Sequence, residues 1–316
     1  MQFRALGKTG FSIAPLVFGG NVFGWTVDEK TSFDLLDAFT DAGFNAIDTA
    51  DVYSRWAPGN EGGESEAIIG KWLKRSAIAR DRVVIVTKVG SDMGQGRRDL
   101  RRTWIVEAVE ASLKRLQTDH IDLYLSHWPD AETPYEETLE AHASLVAAGK
   151  VRAFGASNLD AGQLQASFDA ADAAGLPRYG VLQPEYNLYD RDGFEGPLAE
   201  LCRSEEIGVI TYFSLASGFL TGKYRTAADT EGRARGEDVA RYLDDKGQRI
   251  LAALDRIAAE TGAKPAEIAL VWLMAKPAVT APIASATSLA QLESLTKAAT
   301  LALSADQLRA LDEAGA

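Results

Sequence analysis

The stretch Asn45-Ala46-Ile47-Asp48-Thr49-Ala50-Asp51-Val52-Tyr53 passes abruptly from a short apolar run into a string of polar residues. A buried strand reads as a brief β-branched apolar run, and in a parallel barrel the residues that do chemistry sit just past the C-terminal ends of such strands. The same pattern recurs outward in both directions. Runs at Leu16–Phe18, Asn45–Asp48, Val83–Lys88, Ile121–Leu125, Val151–Gly155, Tyr179–Gln183, Val209–Tyr212 and Val279–Ile283 alternate with longer segments of helical periodicity. Strands that alternate with helices make a parallel sheet, and eight such units close a (β/α)8 TIM barrel. Residues 1–316 are therefore expected to form a single α/β domain of this kind.

Three segments fall outside the repeat. Gln2–Ala5 and Phe11–Ile13, on either side of Gly7-Lys8-Thr9-Gly10, predict an N-terminal β-hairpin that plugs the barrel end away from the active site. Ser304-Ala305-Asp306-Gln307 is an N-cap signal for a C-terminal extra helix running to about Glu313 and packing across the barrel. Between Thr221 and Gly247 the chain is rich in Gly, Arg and Asp with little apolar periodicity, which predicts a lid or mobile flap.

Bulk composition narrows the function classes. With 46% hydrophobic and 25% charged residues the chain reads as a globular protein. It has no apolar run of about 18 residues, so a membrane partner is not expected. Its 33 basic and 45 acidic residues leave a net charge of −12, which repels polyanions and argues against nucleic acid, although a local basic pocket for a phosphate is compatible with it. Cys202 is the only cysteine, and Met1-Gln2-Phe3-Arg4 lacks the apolar stretch of a signal peptide; a cytoplasmic location is expected. The oligomeric state is not readable from these features.

Several motifs fail. Gly7-Lys8-Thr9 resembles the end of a P-loop, but position 2 is Gln2 rather than the glycine that motif needs, so a hairpin turn is the better reading. Gly19-Gly20-Asn21-Val22-Phe23-Gly24 lacks the spacing of the dinucleotide fingerprint. His120, His127 and His142 form no zinc-binding pair, so no metal is expected.

The strand ends converge on proton chemistry. The second ends in Asp48 to Tyr53, the third in Thr87-Lys88, the fourth in Ser126-His127-Trp128-Pro129, the fifth in Ala156-Ser157-Asn158, the sixth in Gln183-Pro184-Glu185-Tyr186-Asn187, and the seventh in Tyr212-Phe213-Ser214-Leu215. A phenol is a useful acid near neutral pH if a nearby ammonium lowers its pKa and a carboxylate anchors that ammonium. Tyr53 is thus the expected acid, Lys88 its tuner and Asp48 the anchor. His127 orients the carbonyl or shares the proton. Each residue alone is as readily explained by packing, a solvated charge or a turn cap; their succession along the strand ends is the signal.

These motifs, together with Gly155-Ala156-Ser157-Asn158, Leu182-Gln183-Pro184-Glu185-Tyr186-Asn187-Leu188 and Tyr212 to Tyr224, resemble those of the aldo-keto reductase superfamily over nearly the whole chain. The resemblance implies an NAD(P)(H)-dependent oxidoreductase, an aldo-keto reductase or alcohol dehydrogenase interconverting an aldehyde, ketone or sugar with an alcohol. Asp48, Tyr53, Lys88 and His127 match its catalytic tetrad. Ser157, Asn158 and Gln183 match the residues that bond the nicotinamide carboxamide, and Tyr212 the aromatic residue that stacks on that ring. Leu215, Ser217 and Lys223 match pyrophosphate contacts, with Arg233 closing over them. Phe213, Ser214 and Gly218 belong to the same cofactor loop, Gly20 and Asn21 to the first strand's end, and Ser285, Thr287 and Gln291 to the eighth-strand segment around the adenosine.

Two departures bear on cofactor choice. Ser214 stands where many members have Pro, and Ser285 and Thr287 stand where NADPH-preferring members often place Gly and Arg. Arg is the natural bidentate phosphate partner, so its loss removes a charge-assisted contact and lets NAD(H) compete, while the resemblance keeps NADP(H) the first expectation. Trp25, Trp56 and Trp128 are candidate substrate walls beside Tyr53 and His127. The alternative on the same barrel is a regulatory subunit that binds a nicotinamide dinucleotide, similar to potassium-channel β-subunits. The expectation against it is that no N-terminal effector segment precedes the barrel.

Overall fold

The protein is described by a computed structural model covering residues 1–316. β1 (Arg4–Ala5) and β2 (Ser12–Ile13) pair antiparallel as the N-terminal hairpin. Eight parallel strands follow: β3 (Val17–Gly19), β4 (Ala46–Asp48), β5 (Val84–Val89), β6 (Ile121–Ser126), β7 (Val151–Ser157), β8 (Val181–Gln183), β9 (Gly208–Thr211) and β10 (Ala281–Ala284). They close in the order β10-β3-β4-β5-β6-β7-β8-β9, with β10 paired to β3 at Ile283 and Val17 and to β9 at Ala281 and Ile210. The fold is a (β/α)8 TIM barrel.

Helices α1 (Glu29–Asp41), α2 (Glu64–Arg75), α3 (Arg102–Leu116), α4 (Tyr135–Ala147), α5 (Ala161–Ala174) and α6 (Pro197–Ser204) each join one barrel strand to the next. The β9–β10 connection is longer and carries α7 (Gly236–Ala240), α8 (Asp245–Thr261) and α9 (Pro265–Met274); α10 (Leu289–Ala298) and α11 (Ala305–Ala314) follow β10. Local sequence explains the boundaries. Asp160 and Gln163 form a reciprocal capping box that starts α5, and Gly175 ends it in the left-handed region at φ 64°.

Alternation along the strands sets up the site. Val17, Ala46, Val84, Val86, Leu123, Leu125, Val181, Ile210 and Ile283 form the interior cluster of the barrel. Ile47, Ile85 and Tyr124, at the intervening positions, belong to the cluster packed beneath the helices. Because successive strand side chains face opposite ways, Asp48 follows Ala46 inward on β4 and Lys88 follows Val84 and Val86 inward on β5. The barrel floor is closed by the hairpin, whose Leu6 and Ile13 join the interior cluster. Gly7, at φ 55°, makes this possible: a Cβ there would lie 2.4 Å from the Gly208 nitrogen.

Three details differ from the expectations. Tyr179 and Val279, expected as strand residues, are buried lead-ins to β8 and β10, outside the ladder. The segment 221–247, read from its sequence as a lid or mobile flap, lines part of the barrel mouth and holds elements of its own. It contains a 3-10 turn at Ala227–Thr230 and the short α7, pinned by buried Tyr224, Val239 and Tyr242. Elements so short have no periodicity to read. The last helix starts at its Ser304–Gln307 capping box, but it packs on the outside of the barrel rather than across it. Gln307 bonds Glu260 of α8, and Asp312 accepts from Trp272 of α9 and pairs with Lys276.

Candidate active site

The inward-facing residues at the C-terminal ends of β4 and β5 meet. Lys88 is fully buried, and its Nζ donates to Asp48 Oδ2 at 2.8 Å, to the Thr49 carbonyl at 2.8 Å and to Tyr53 Oη at 2.9 Å. Tyr53 Oη also donates to Asp48 Oδ2 at 3.2 Å, and Gln183 Nε2 donates to Asp48 Oδ1 at 2.8 Å. This ion pair is well partnered, which offsets the cost of burying two charges. Behind it, Glu66 of α2 accepts from the Thr87 hydroxyl at 2.5 Å and pairs with Arg115 at 2.6 Å, fixing the outward face of β5 next to Lys88.

His127 follows β6, its ring centroid 6.0 Å from that of Tyr53. Its Nδ1 lies 3.0 Å from Ser91 Oγ, beyond the end of β5. With Ser91 as donor, the imidazole proton sits on Nε2. Ser91 is a positioning residue that the strand-end reading, stopping at Lys88, misses.

The electrostatics correct one expectation. Burial, and after it the Asp48 carboxylate, push the Tyr53 phenol well above its ordinary value of 10.0. Proximity of Lys88 does not leave a phenol with a lowered pKa; the resting group is a protonated phenol, and the ammonium stands ready to stabilise the phenolate once the proton has left. Burial pulls Lys88 below its usual value, opposed by Asp48. Burial, Lys88 and Arg98 hold His127 well below 6.5, so it is a neutral imidazole at neutral pH.

Beside the tetrad the polar residues of β7, β8 and β9 bond one another. Ser157 Oγ donates to the Gln183 carbonyl at 2.7 Å, and Asn158 Nδ2 to the His127 carbonyl at 2.9 Å. Tyr212 Oη donates to Asn158 Oδ1 at 2.6 Å. On the opposite flank the Trp25 and Trp56 rings meet edge to face at 5.7 Å, Trp56 lies 5.9 Å from Tyr53, and Trp128 stacks on His127 at 5.7 Å.

A cavity of about 660 Å³ runs from Asp48 and Tyr53 across the barrel mouth. Asn21, Tyr212, Phe213, Ser214, Leu215, Ser217 and Gly218 line it, as do Lys223, Arg233, Ser285, Thr287 and Gln291 at its far side. Gly20 is buried behind this wall, its carbonyl accepting from Ser65 Oγ. Ser157, Asn158, Gln183, Lys88 and the three tryptophans flank the cavity rather than line it. Thr287 spends both its amide and its hydroxyl on Gln291 Oε1, at 2.8 and 3.1 Å.

Two observations fit this cavity to an extended dinucleotide. Lys223, Arg233, Arg235 and Lys264 line it, and none of them makes an ion pair, whereas Asp48 is the only carboxylate among the lining residues. In a chain of net charge −12, Lys223, Arg233 and Lys264 make a local basic groove suited to the cofactor's phosphates, while Arg235 lies over Trp25. In addition, Phe213, Ala216, Ser217 and Gly218 hold φ of 50°, 48°, 55° and 98°. A left-handed backbone in three non-glycine residues stores strain of about 1–3 kcal/mol each; the Ala216 and Gly218 amides donate to the Phe213 and Leu215 carbonyls, and those of Phe213 and Ser217 remain to meet an anion. Arg235 and Lys264 were not among the sequence candidates; in a polar stretch each reads as an ordinary solvated charge.

A sequence model of the aldo/keto reductase family matches residues 15–316. The chain belongs to the aldo/keto reductase family. The uncharacterized oxidoreductase YrpG of Bacillus subtilis is 35% identical over 320 residues, covering 99% of this chain and 95% of that protein. The aldo-keto reductase YhdN of the same organism is 34% identical over 308 residues, covering 94% and 88%. A probable voltage-gated potassium channel subunit beta of Arabidopsis thaliana is 35% identical over 305 residues, covering 94% and 91%. Family membership makes this chain an oxidoreductase of the aldo/keto reductase kind, with a nicotinamide cofactor and small-molecule carbonyl chemistry. No helix is long and apolar enough to cross a membrane.

Proposed function

We propose that the protein interconverts a small carbonyl compound and its alcohol, with Tyr53 exchanging the proton. The observation that carries this reading is the Asp48–Lys88–Tyr53 triangle, its ion pair buried and its phenol reaching a cation-lined cavity. Bound nicotinamide dinucleotide supplies a hydride to the carbonyl carbon in reduction and accepts one in oxidation. Tyr53 delivers its proton to the carbonyl oxygen as that oxygen gains negative charge, and the Lys88 ammonium, anchored by Asp48, stabilises the phenolate left behind. The Nε2–H of neutral His127, held by Ser91, donates a hydrogen bond to the same oxygen. In the reverse direction the phenolate takes the alcohol proton.

Ser157, Asn158 and Gln183 hold the carboxamide by exchanging their present bonds, to the Gln183 carbonyl, the His127 carbonyl and Asp48 respectively, for bonds to it, and Tyr212 supports the ring. Gly20 and Asn21 shape the wall beside Asp48. Ser214, Leu215, Ser217, Gly218, Lys223 and Arg233 receive the diphosphate, and Ser285, Thr287 and Gln291 the adenosine. NADP(H) is preferred over NAD(H), with Lys264 supplying the positive charge that Ser285 and Thr287 lack. Trp25, Trp56 and Trp128 form the substrate wall.

The test is turnover in the presence of a chelator. Para-nitrobenzaldehyde should be reduced at the expense of NADPH. Tight dinucleotide binding without turnover across aldehydes, ketones and alcohols would contradict the enzyme reading and favour a role like that of the channel subunit for which the Arabidopsis relative is named.

A further inference from the structure

Arg235 is set apart from the other unpaired cations by its position. It sits in the β9–β10 connection, at the N-cap of α7. Its guanidinium lies 5.5 Å from the Trp25 ring; Trp25 meets Trp56 at 5.7 Å, and Trp56 meets Tyr53 at 5.9 Å. Arg235 and Tyr53 line the same cavity. The charge is thus stationed at the reacting end. Lys223, by contrast, stacks on Tyr224 beside Gly218, at the other end of the cofactor loop.

The guanidinium is also unspent. Arg235 makes no salt bridge, and its only hydrogen bond in the fold comes from its backbone carbonyl, which accepts from Val239. It is half-buried, and that burial works against its charge, pulling its pKa below the usual 12.5. A partly desolvated guanidinium with five free donors and one aromatic face beneath it is a site for a planar anion. Tyr53, Trp25 and Trp56 provide an apolar and aromatic span between that anion and the reacting carbonyl.

We propose that the substrate is a carbonyl compound carrying a second, anionic group, a carboxylate or a phosphate ester, which Arg235 binds while Tyr53 addresses the carbonyl. This inference rests on the reading of the Tyr53 site as the reacting centre. It adds the class of substrate: an aldehyde or ketone with an acidic tail whose middle section lies against the indoles. The reaction is unchanged, since the acidic group neither gains nor loses electrons or protons.

Binding and turnover test it separately. Tryptophan fluorescence of the dinucleotide-loaded protein reads the affinity of benzoate against that of benzamide, and this requires no chemistry. The wild-type protein should bind benzoate about ten- to a hundredfold more tightly than Arg235→Gln does, the range expected for a charge-assisted hydrogen bond. Benzamide should bind both alike, and Arg235→Lys should recover part of the benzoate affinity. In turnover, Arg235→Gln should raise KM for para-carboxybenzaldehyde by a similar factor while leaving para-nitrobenzaldehyde and the NADPH dissociation constant unchanged. Equal benzoate affinity in wild type and Arg235→Gln would overturn the proposal, and so would a parallel loss of NADPH affinity, which would give Arg235 to the diphosphate. Absence of turnover with every aldehyde, alongside Arg235-dependent benzoate binding, would strike the catalytic reading and leave the anion site standing.

Discussion

The two halves of the barrel mouth are built on opposite principles. At the ends of β4 and β5 the reacting charges are paired with each other: Lys88 has Asp48, Tyr53 and the Thr49 carbonyl, and Asp48 has Gln183 as well. In the cofactor loop after β9 and the connection beyond it, Lys223, Arg233 and Arg235 face the cavity with no ion-pair partner, on backbone that turns through three left-handed non-glycine residues. The first half is preorganised for a reaction whose charge appears only in passing. The second is left incomplete, and a ligand of opposite charge completes it. Removing a charge from the first half should therefore cost stability and rate together, whereas removing one from the second should cost affinity alone.

The largest effect is expected for Lys88→Met, which strands a buried Asp48. Breaking a buried pair costs about 3–5 kcal/mol, read as a lowered Tm. Loss of the group that stabilises the phenolate should also slow hydride transfer in single turnover by about 10²–10⁴-fold. A variant as stable as wild type would break the contrast between the halves.

Lys223→Met should be milder and different in kind. Its Tm without ligand should stay within about 0.5 kcal/mol equivalent of wild type, as for an exposed side chain without partners. Its dinucleotide affinity should fall about ten- to a hundredfold, the loss expected for a charge-assisted contact. That loss should shrink at high salt. A fall in Tm with unchanged affinity would place Lys223 in the scaffold rather than in the ligand site.

The smallest expected effect is a flat pH profile. His127 is held well below 6.5 and the Tyr53 phenol well above 10.0, so neither changes protonation between those limits. Single-turnover reduction should be level from pH 6.5 upward until Lys88, drawn below 10.5 by burial, loses its proton. The alkaline limb then belongs to Lys88 and should vanish in Lys88→Met. A limb near neutrality in the wild-type protein would mean that an imidazole carries the proton.

Much of this is legible in the sequence because strand ends are. The apolar runs before Asp48, Lys88, His127 and Gln183 announce where each residue emerges, and period-two alternation puts Asp48 and Lys88 on the inner face. What the sequence hides is environment. It lists Lys88 as a neighbour of Tyr53 but does not say that burial outweighs it, so the direction of the phenol's shift comes out wrong. Arg235 and Lys264 sit in polar segments indistinguishable from solvated surface until the β9–β10 connection folds back over the mouth. Ser91 and the short α7 have no periodic pattern around them. Each depends on long-range packing, which local patterns do not encode.

The central claim is that Tyr53 carries the proton. Tyr53→Phe keeps the ring, its edge contacts with Trp56 and His127 and the cavity wall, and removes only the hydroxyl. Dinucleotide affinity and single-turnover hydride transfer should be measured on the same folded variant. The account predicts near-normal affinity with transfer slowed by about 10²–10⁴-fold, the usual contribution of a positioned general acid. Near-normal transfer in a variant that binds the dinucleotide would contradict it.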